Sequence, residues 1–462
     1  MSLSRKNDTI AAICTAVGEG GVAIVRVSGP KAKEIGRALF SPANPTFREF
    51  RPHTLHFGTL VETGGITLDE GLTVFMPGPH SYTGEDTVEF HTHGGQAAPT
   101  AVLEAVLACG ARLAERGEFT LRAFLTGRLD LTQAEAVAEL IHAPTKAALH
   151  LAQTKLSGAL GRRIAALRHS LEDLRRQLCL AVDFPEDEVE CLPLGELCER
   201  VDSALAELDR LLSGMDRARA WREGAMAVLC GRVNAGKSSL LNALLGKNRA
   251  IVTDTPGTTR DYLEEAINFD GLLVRVVDTA GLRQSADAVE TAGMEMSREL
   301  ADQADLVLFV ADGSLLLTSE ELEVATGFGP ERTLVVVNKA DLPSVEPDVA
   351  SIFEEHWFTT VPVSATTGQG LMELGRAIRR AILAGMDEPD PDEAVPNLRQ
   401  AEALRRTRAE LLHLRQDAGQ GIPPDLLGVA LETACAQLGS LLGEITPEEI
   451  LHSIFDSFCI GK

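Results

Sequence analysis

The chain has 462 residues, 45% of them hydrophobic, with a formal net charge of −24; it is too long for one hydrophobic core and predicts two to four domains. Such acidity argues against a protein that grips nucleic acid unaided, because phosphate neutralisation drives that binding, and solubility is its first explanation. Eight scattered cysteines without a C-x-x-C pair, no signal-type core in residues 1–20 and no apolar run of bilayer length argue against disulfide-stapled and membrane-spanning classes and predict a cytoplasmic location.

Residues 1–118 read as mixed α/β. Segments 22–27 and 72–76 are strand-like, and 87–91 alternates, with Val88 and Phe90 on one face and Glu89, His91 and His93 on the other. Residues 119–219 read as helical. Leu156, Leu160, Ile164, Leu167, Leu171, Leu174 and Leu178 recur at steps of three and four and predict one continuous apolar stripe, weakened at its start by Gly158 and Gly161. After an acidic turn at 183–188, Val201, Leu205, Leu208 and Leu211 predict a second helix.

Residues 220–383 alternate strands and helices, the signature of a parallel sheet. An acidic linker at 387–393 lies near the start of the last segment, 384–462, where Leu404, Leu411, Leu414, Leu431, Leu438 and Leu441 keep helical spacing. That segment is too short to bury its own stripe, so it is expected to pack on the 119–219 helices, which makes 220–383 an insertion. A separate C-terminal bundle is the alternative.

The motifs that carry chemistry lie in the alternating segment. A buried strand at 225–230 runs into Gly231-Arg232-Val233-Asn234-Ala235-Gly236-Lys237-Ser238, then Ser239 and a helix with Leu240, Leu241, Leu244 and Leu245 on its core side. Glycines let backbone N–H groups curl around phosphates; Lys237 is expected to reach the β and γ phosphates and the Ser238 hydroxyl to bind magnesium. Asp278-Thr279-Ala280-Gly281 ends a strand at 273–277, with Asp278 on magnesium through water and the Gly281 amide at the γ-phosphate. Between them lies Thr253-Asp254-Thr255-Pro256-Gly257-Thr258-Thr259, a switch loop whose Thr259 is the second magnesium ligand.

Asn338-Lys339-Ala340-Asp341 follows the apolar run 334–337. A carboxylate there accepts from both N1–H and the 2-amino group of guanine, donors that adenine lacks on that edge, so Asp341 predicts GTP. Ser364 and Ala365 are expected to pad the base from the other side. Leu282 stands after Gly281, where a glutamine would orient the attacking water, so catalysis needs a substitute. Arg260, Glu290 and a cation near Asn234 are the candidates.

Taken together, these motifs resemble the tRNA-modification GTPase MnmE (TrmE) family. So do Gly20-Gly21-Val22-Ala23-Ile24-Val25-Arg26, Ser81-Tyr82-Thr83-Gly84-Glu85-Asp86, His93-Gly94-Gly95, Gly117-Glu118-Phe119-Thr120, Leu129-Asp130-Leu131-Thr132-Gln133-Ala134-Glu135-Ala136 and the terminal Phe458-Cys459-Ile460-Gly461-Lys462. The resemblance implies an α/β and α architecture: an N-terminal α+β folate-binding domain, an all-α domain, and a Ras-like P-loop domain inserted in it. It further implies a homodimer that works with a flavin-dependent partner (MnmG, or GidA) on C5 of the wobble uridine of certain tRNAs. The carbon comes from a 5,10-methylene-tetrahydrofolate, and GTP hydrolysis is potassium-stimulated.

Position by position, the resemblance implies that Asn234, Thr253, Thr255 and Thr258 hold potassium and that Glu290 positions the water. It implies folate contacts at Arg26, Glu89, Arg128 and Lys462, with Arg128 in place of a more usual lysine, and ties Cys459 to the modification chemistry. Two alternatives remain: a ribosome-assembly or translation switch that binds RNA with its helical part, and a stand-alone folate aminomethyltransferase with a regulatory GTPase.

Overall fold

The computed structural model describes residues 8–16, 18–183, 193–248, 264–278, 300–346, 348–384, 394–444, 447–456 and 458–462. The acidic turn after residue 183, the linker at 387–393 and the switch segments around 253–259 and 279–290 lie outside the described residues. The chain forms two compact units. One holds residues 1–141, 155–208 and 398–462, and the other 142–154 and 209–397.

The first unit opens with a seven-stranded sheet. Its strands are β1 (Ile10–Ile13), β2 (Val22–Ser28), β3 (Phe40–Pro42), β4 (His56–Val61), β5 (Thr67–Met76), β6 (Thr87–His93) and β7 (Arg112–Leu113), in the order β3-β4-β5-β6-β2-β1-β7. Only β1 and β7 pair in parallel. The period-two alternation sorts the two faces. Val88 and Phe90 of β6 and Val25 and Val27 of β2, all fully buried, form one core with Ile35, Val102 and Val106 from helices Ala32–Ala38 and Ala97–Ala108. Glu89 and His91 of β6 therefore lie on the opposite face, across from Arg26 and Ile24.

The leucine stripe is divided. One helix ends at Leu156 and the next, Ala159–Asp183, begins after Gly158, whose φ of +82° is left-handed backbone that ends a helix cleanly. Leu160, Ile164, Leu167, Leu171, Leu174 and Leu178 then bury one face of the second helix. The C-terminal helices Leu398–Gly419 and Pro424–Leu442 belong to this same unit. Arg399 grips Glu135 with two bonds (2.6 and 2.8 Å), and Gln400 donates to the same carboxylate at 2.5 Å. Arg415 pairs with Asp202 at 3.0 Å, and Arg168 pairs with Glu444.

One stretch does reach bilayer-like length and composition: Asp425–Leu442 has a mean hydropathy of 1.2 over 18 residues. Leu427, Leu431, Ala434, Leu438 and Leu441 are buried within the unit, so its apolar character is that of a bundle helix.

The second unit carries a six-stranded sheet of β8 (Ala225–Cys230), β9 (Glu264–Phe269), β10 (Leu272–Asp278), β11 (Leu306–Asp312), β12 (Thr333–Asn338) and β13 (Thr359–Pro362). The order is β13-β12-β11-β8-β10-β9, parallel except for β9 against β10. Strands β8, β11 and β12 are almost wholly buried, which is why they read as unbroken apolar runs. Strand order reverses on either side of β8, and ligands bind at such a switch point, beyond the carboxyl ends of the strands.

Candidate functional site

The phosphate loop stands at that switch point, between β8 and helix Lys237–Asn248. Asn234 (φ +66°) and Gly236 (φ +97°) turn the chain through left-handed backbone. A Cβ on Gly236 would lie 2.2 Å from Asn338 Nδ2, so no larger residue fits there. Lys237 is buried; its ammonium donates to the carbonyls of Gly231 (2.7 Å) and Arg232 (2.8 Å), which aims it across the mouth of the loop. Ser238 and Ser239 are exposed, and Ala235 is buried beneath the loop.

Ser238 Oγ donates to Asp278 Oδ2 at 2.8 Å. Asp278 ends β10 and is buried, so a hydroxyl and a carboxylate oxygen converge where the helix begins. These are hard oxygen ligands, the donor set magnesium takes. Cys230, at the end of β8, is no thiolate: burial pushes it up to about 12 against the pull of Lys237.

Asn338 joins the loop to the base side of the site. Its Nδ2 donates to the Ala235 carbonyl at 2.9 Å and its Oδ1 accepts from the Ala365 amide at 3.1 Å. Ser364 is fully buried, and its Oγ accepts from the Thr367 amide at 3.1 Å, shaping the turn that carries Ala365. Lys339, at φ +66°, pairs with Asp312 at 2.5 Å. Burial pushes the Asp312 carboxyl up, but bonds from Lys339 and Ser314 outweigh it and hold the group below the ordinary carboxylate range. A cavity of about 190 Å³ opens between residues 232–235 of the loop and Asp312, Leu315 and Lys339. Asp341 is exposed.

Thr253, Asp254, Thr255, Pro256, Gly257, Thr258, Thr259, Thr279, Ala280, Gly281 and Glu290 lie outside the described residues. Of the potassium set, the structure describes Asn234 alone, exposed on the loop.

A second polar cluster sits on the outer face of the N-terminal sheet. Arg26 Nε donates to Glu89 Oε1 at 2.7 Å, and the guanidinium lies 5.2 Å from the Tyr82 ring and 5.5 Å from the Phe119 ring. Tyr82 is fixed through its hydroxyl to Thr120 at 2.8 Å. Burial raises the Glu89 carboxyl, but His91 and Arg26 outweigh it and keep it ionised. His91 Nε2 stands 3.6 Å from Glu89 Oε2, too far for a hydrogen bond, so its effect there is electrostatic. Burial raises the Cys14 thiol, against the pull of Arg26 and Lys462. Lys462 and the exposed Arg128 thus reach the cluster through their charge, the latter acting on the Tyr82 phenol.

The C-terminal tail is docked on the same domain. Ile460 bridges Arg116, the Gly117 amide donates to the Cys459 carbonyl at 3.4 Å, and the Phe119 amide donates to Lys462 O at 3.2 Å. Cys459 itself is exposed. The sequence reading missed the ion network beneath. Arg122 bonds Asp8 (2.6 Å), Glu85 (3.0 Å) and Glu118 (3.1 Å), and Arg112 bonds Asp8 (2.6 Å) and Glu118 (2.5 Å). Only the proximity of Glu118 and Arg122, four apart on one helix, was visible in sequence.

Comparison with known proteins gives these features a family. The model for the GTP-binding protein TrmE N-terminus matches residues 9–128, and that for the MnmE helical domain matches residues 131–459. The chain belongs to the MnmE family of tRNA modification GTPases. The tRNA modification GTPase MnmE of Nitratidesulfovibrio vulgaris (strain DP4) is 53% identical over 99% of this chain and 100% of its own length. That of Lawsonia intracellularis is 46% identical over 98% and 100%. Among solved structures, the G domain of the T. maritima FeoB iron transporter is 25% identical over 34% of this chain and 98% of its own, with a TM-score of 0.27. The chain is thus a GTP-binding GTPase that takes part in tRNA modification.

Proposed function

We propose that GTP hydrolysis in the second unit drives addition of an aminomethyl or carboxymethylaminomethyl group to C5 of the wobble uridine (U34) of certain tRNAs. The chain acts as a homodimer, together with the flavin-dependent partner MnmG (GidA), in the cytoplasm. A tetrahydrofolate derivative carries the added carbon, held against Arg26, Glu89, Arg128 and Lys462. The observation that supports this most is the pairing of two sites in one chain: a phosphate loop stitched by Asn338 to the Ala365 turn, and an ionised carboxylate on an aromatic-walled face.

Ser238 and Thr259 of the switch loop would hold magnesium, with Asp278, which accepts from the Ser238 hydroxyl, acting on it through water. With Leu282 in place of a water-orienting glutamine, Glu290 positions the water indirectly. Asn234, Thr253, Thr255 and Thr258 would hold a potassium ion, which would supply the positive charge that an arginine finger brings elsewhere. Lys237 then reaches the phosphates from the loop, and Asp341 selects guanine.

The deciding experiment reconstitutes modification from purified chain, flavoprotein, folate, GTP and tRNA in potassium and in sodium. The proposal expects modified uridine only with both proteins present, and GTP turnover at least about tenfold faster in potassium, a barrier change of about 1.4 kcal/mol. Modification by the chain alone, or equal turnover in the two salts, would overturn it.

A further inference from the structure

Two motifs of the sequence, at 81–86 and 117–120, meet on one short helix, Glu118–Leu125. Tyr82 bonds Thr120 at 2.8 Å, the Thr126 hydroxyl donates to the Thr83 carbonyl at 2.9 Å, and Arg122 donates to Glu85 at 3.0 Å. The first N–H groups of a helix have no partners within it. Here Gly117 and Phe119 direct theirs to the C-terminal tail, at Cys459 O (3.4 Å) and Lys462 O (3.2 Å). The fit is close on both sides of the tail. A Cβ on Gly117 would lie 2.6 Å from the Phe455 carbonyl oxygen, and one on Gly461 would lie 2.6 Å from Ile13 O. Glu118, between the two donors in sequence, is buried. Its carboxylate accepts from the Glu115 amide at 2.9 Å, from Arg112 at 2.5 and 2.8 Å, and from Arg122 at 3.1 Å.

We propose that Glu118 is a positioning residue for the modification reaction: it fixes the turn whose Gly117 and Phe119 amides set the register of residues 459–462, and through them the place of the Cys459 thiol. A buried carboxylate bonded to an arginine of β7 and to one of its own helix cannot rotate without stranding charge, so the backbone on either side of it is held as well. The tail has little grip of its own. Phe455 and Phe458 anchor its start among Leu121 and Leu131, but Cys459 and Ile460 beyond them are exposed. Order in 459–462 therefore comes from the turn it lies on rather than from apolar burial. This inference rests on the reading that ties Cys459 to the modification chemistry, and it adds the residue that places that thiol.

Hydrogen exchange on the full chain, read by mass spectrometry with fragmentation to single amides, tests it in wild type, Glu118→Gln and Val88→Ala. Val88→Ala loosens the same domain through its core and leaves the turn untouched. In Glu118→Gln the Gly117 and Phe119 amides and the 458–462 tail are expected to exchange about 5- to 50-fold faster, beyond any change in β2 and β6, the range for losing two main-chain hydrogen bonds. In Val88→Ala the turn and tail speed up no more than the sheet does, which is also what a merely structural Glu118 would give. Uridine modification reconstituted with Glu118→Gln falls at least about fivefold, with GTP turnover within about twofold of wild type. Exchange of turn and tail that rises in Glu118→Gln only in step with the sheet, or not at all, would overturn the positioning role. If Glu118→Gln does not fold, Arg112→Lys, which keeps the charge and loses the two-pronged bond, is judged by the same two results. Wild-type modification by Cys459→Ser would instead overturn the reading beneath, with the exchange result standing.

Discussion

Asn338→Ala removes the side chain that ties the phosphate loop to the base-side turn. Asn338 is buried, and its two hydrogen bonds, 2.9 Å to the Ala235 carbonyl and 3.1 Å from the Ala365 amide, link residues more than 100 and 27 positions away. Truncation strands both partners. Ala235 is buried and bears the full cost of an unmet acceptor, about 1–3 kcal/mol; Ala365 is half-buried and recovers part of its loss from water. The sum is about 2–4 kcal/mol, a large part of an ordinary domain's stability. In a unit of this size it corresponds to a fall in Tm of about 5–15 °C. If bound nucleotide must re-order the loop, affinity falls by at most the same energy, a factor of about 30 to 1,000. Differential scanning fluorimetry and titration with a fluorescent GDP read both quantities. A Tm within 2 °C of wild type and an affinity within about twofold would refute the claim that this amide holds the site together.

Asp341→Asn replaces an acceptor by a group that cannot receive both guanine donors, and the GTP-over-ATP preference is expected to fall by at least about 100-fold in competition binding; unchanged selectivity removes Asp341 from the site. The acid response of the N-terminal domain follows from its ion network. In Asp8 and Glu118 burial pushes the carboxyl up, but bonds from Arg112 and Arg122 to Asp8, and from Arg112 and the Glu115 amide to Glu118, outweigh it and leave both groups below the ordinary carboxylate range. Their folded values lie below their unfolded ones, so this stability is fully present above about pH 4.5 and is lost as pH falls through the depressed values. Urea unfolding of wild type and Glu118→Gln between pH 3 and pH 7 measures it. The variant should lose stability at pH 7 and show a flatter acid slope, and parallel slopes would show that Glu118 contributes none of it.

Legibility in the sequence followed burial. Strands β8 and β12 could be read almost to the residue because both faces are covered and the apolar runs are unbroken. Strands β1 and β7, four and two residues long, carry too little alternation to register. The leucine stripe concealed the break at Gly158, since i+4 spacing survives a short interruption while the backbone does not. In the nucleotide site, a contiguous motif announces Lys237 and Ser238, but the stitch from Asn338 to Ala235 spans two motifs and needs coordinates. Arg26 and Glu89 are 63 residues apart, and only the β2–β6 register makes them neighbours. In the sequence His91 shares one face of an alternating strand with Glu89 and His93, and a metal pair with His93 lacks further ligands at useful spacing. In the fold His93 pairs with Asp69 at 2.8 Å, and His91 turns to Glu89 instead. Among the described residues no group of three or more His, Cys, Asp or Glu side chains could hold a metal ion.

The most direct test of the whole account is mass spectrometry of wobble uridines in tRNA from cells lacking this chain, compared with the same cells carrying it. The account predicts that the C5 aminomethyl-type side chain disappears without the protein and returns with wild type, but not with a Lys237→Ala phosphate-loop variant. Wobble uridines modified to the same extent in all of these cells would contradict it.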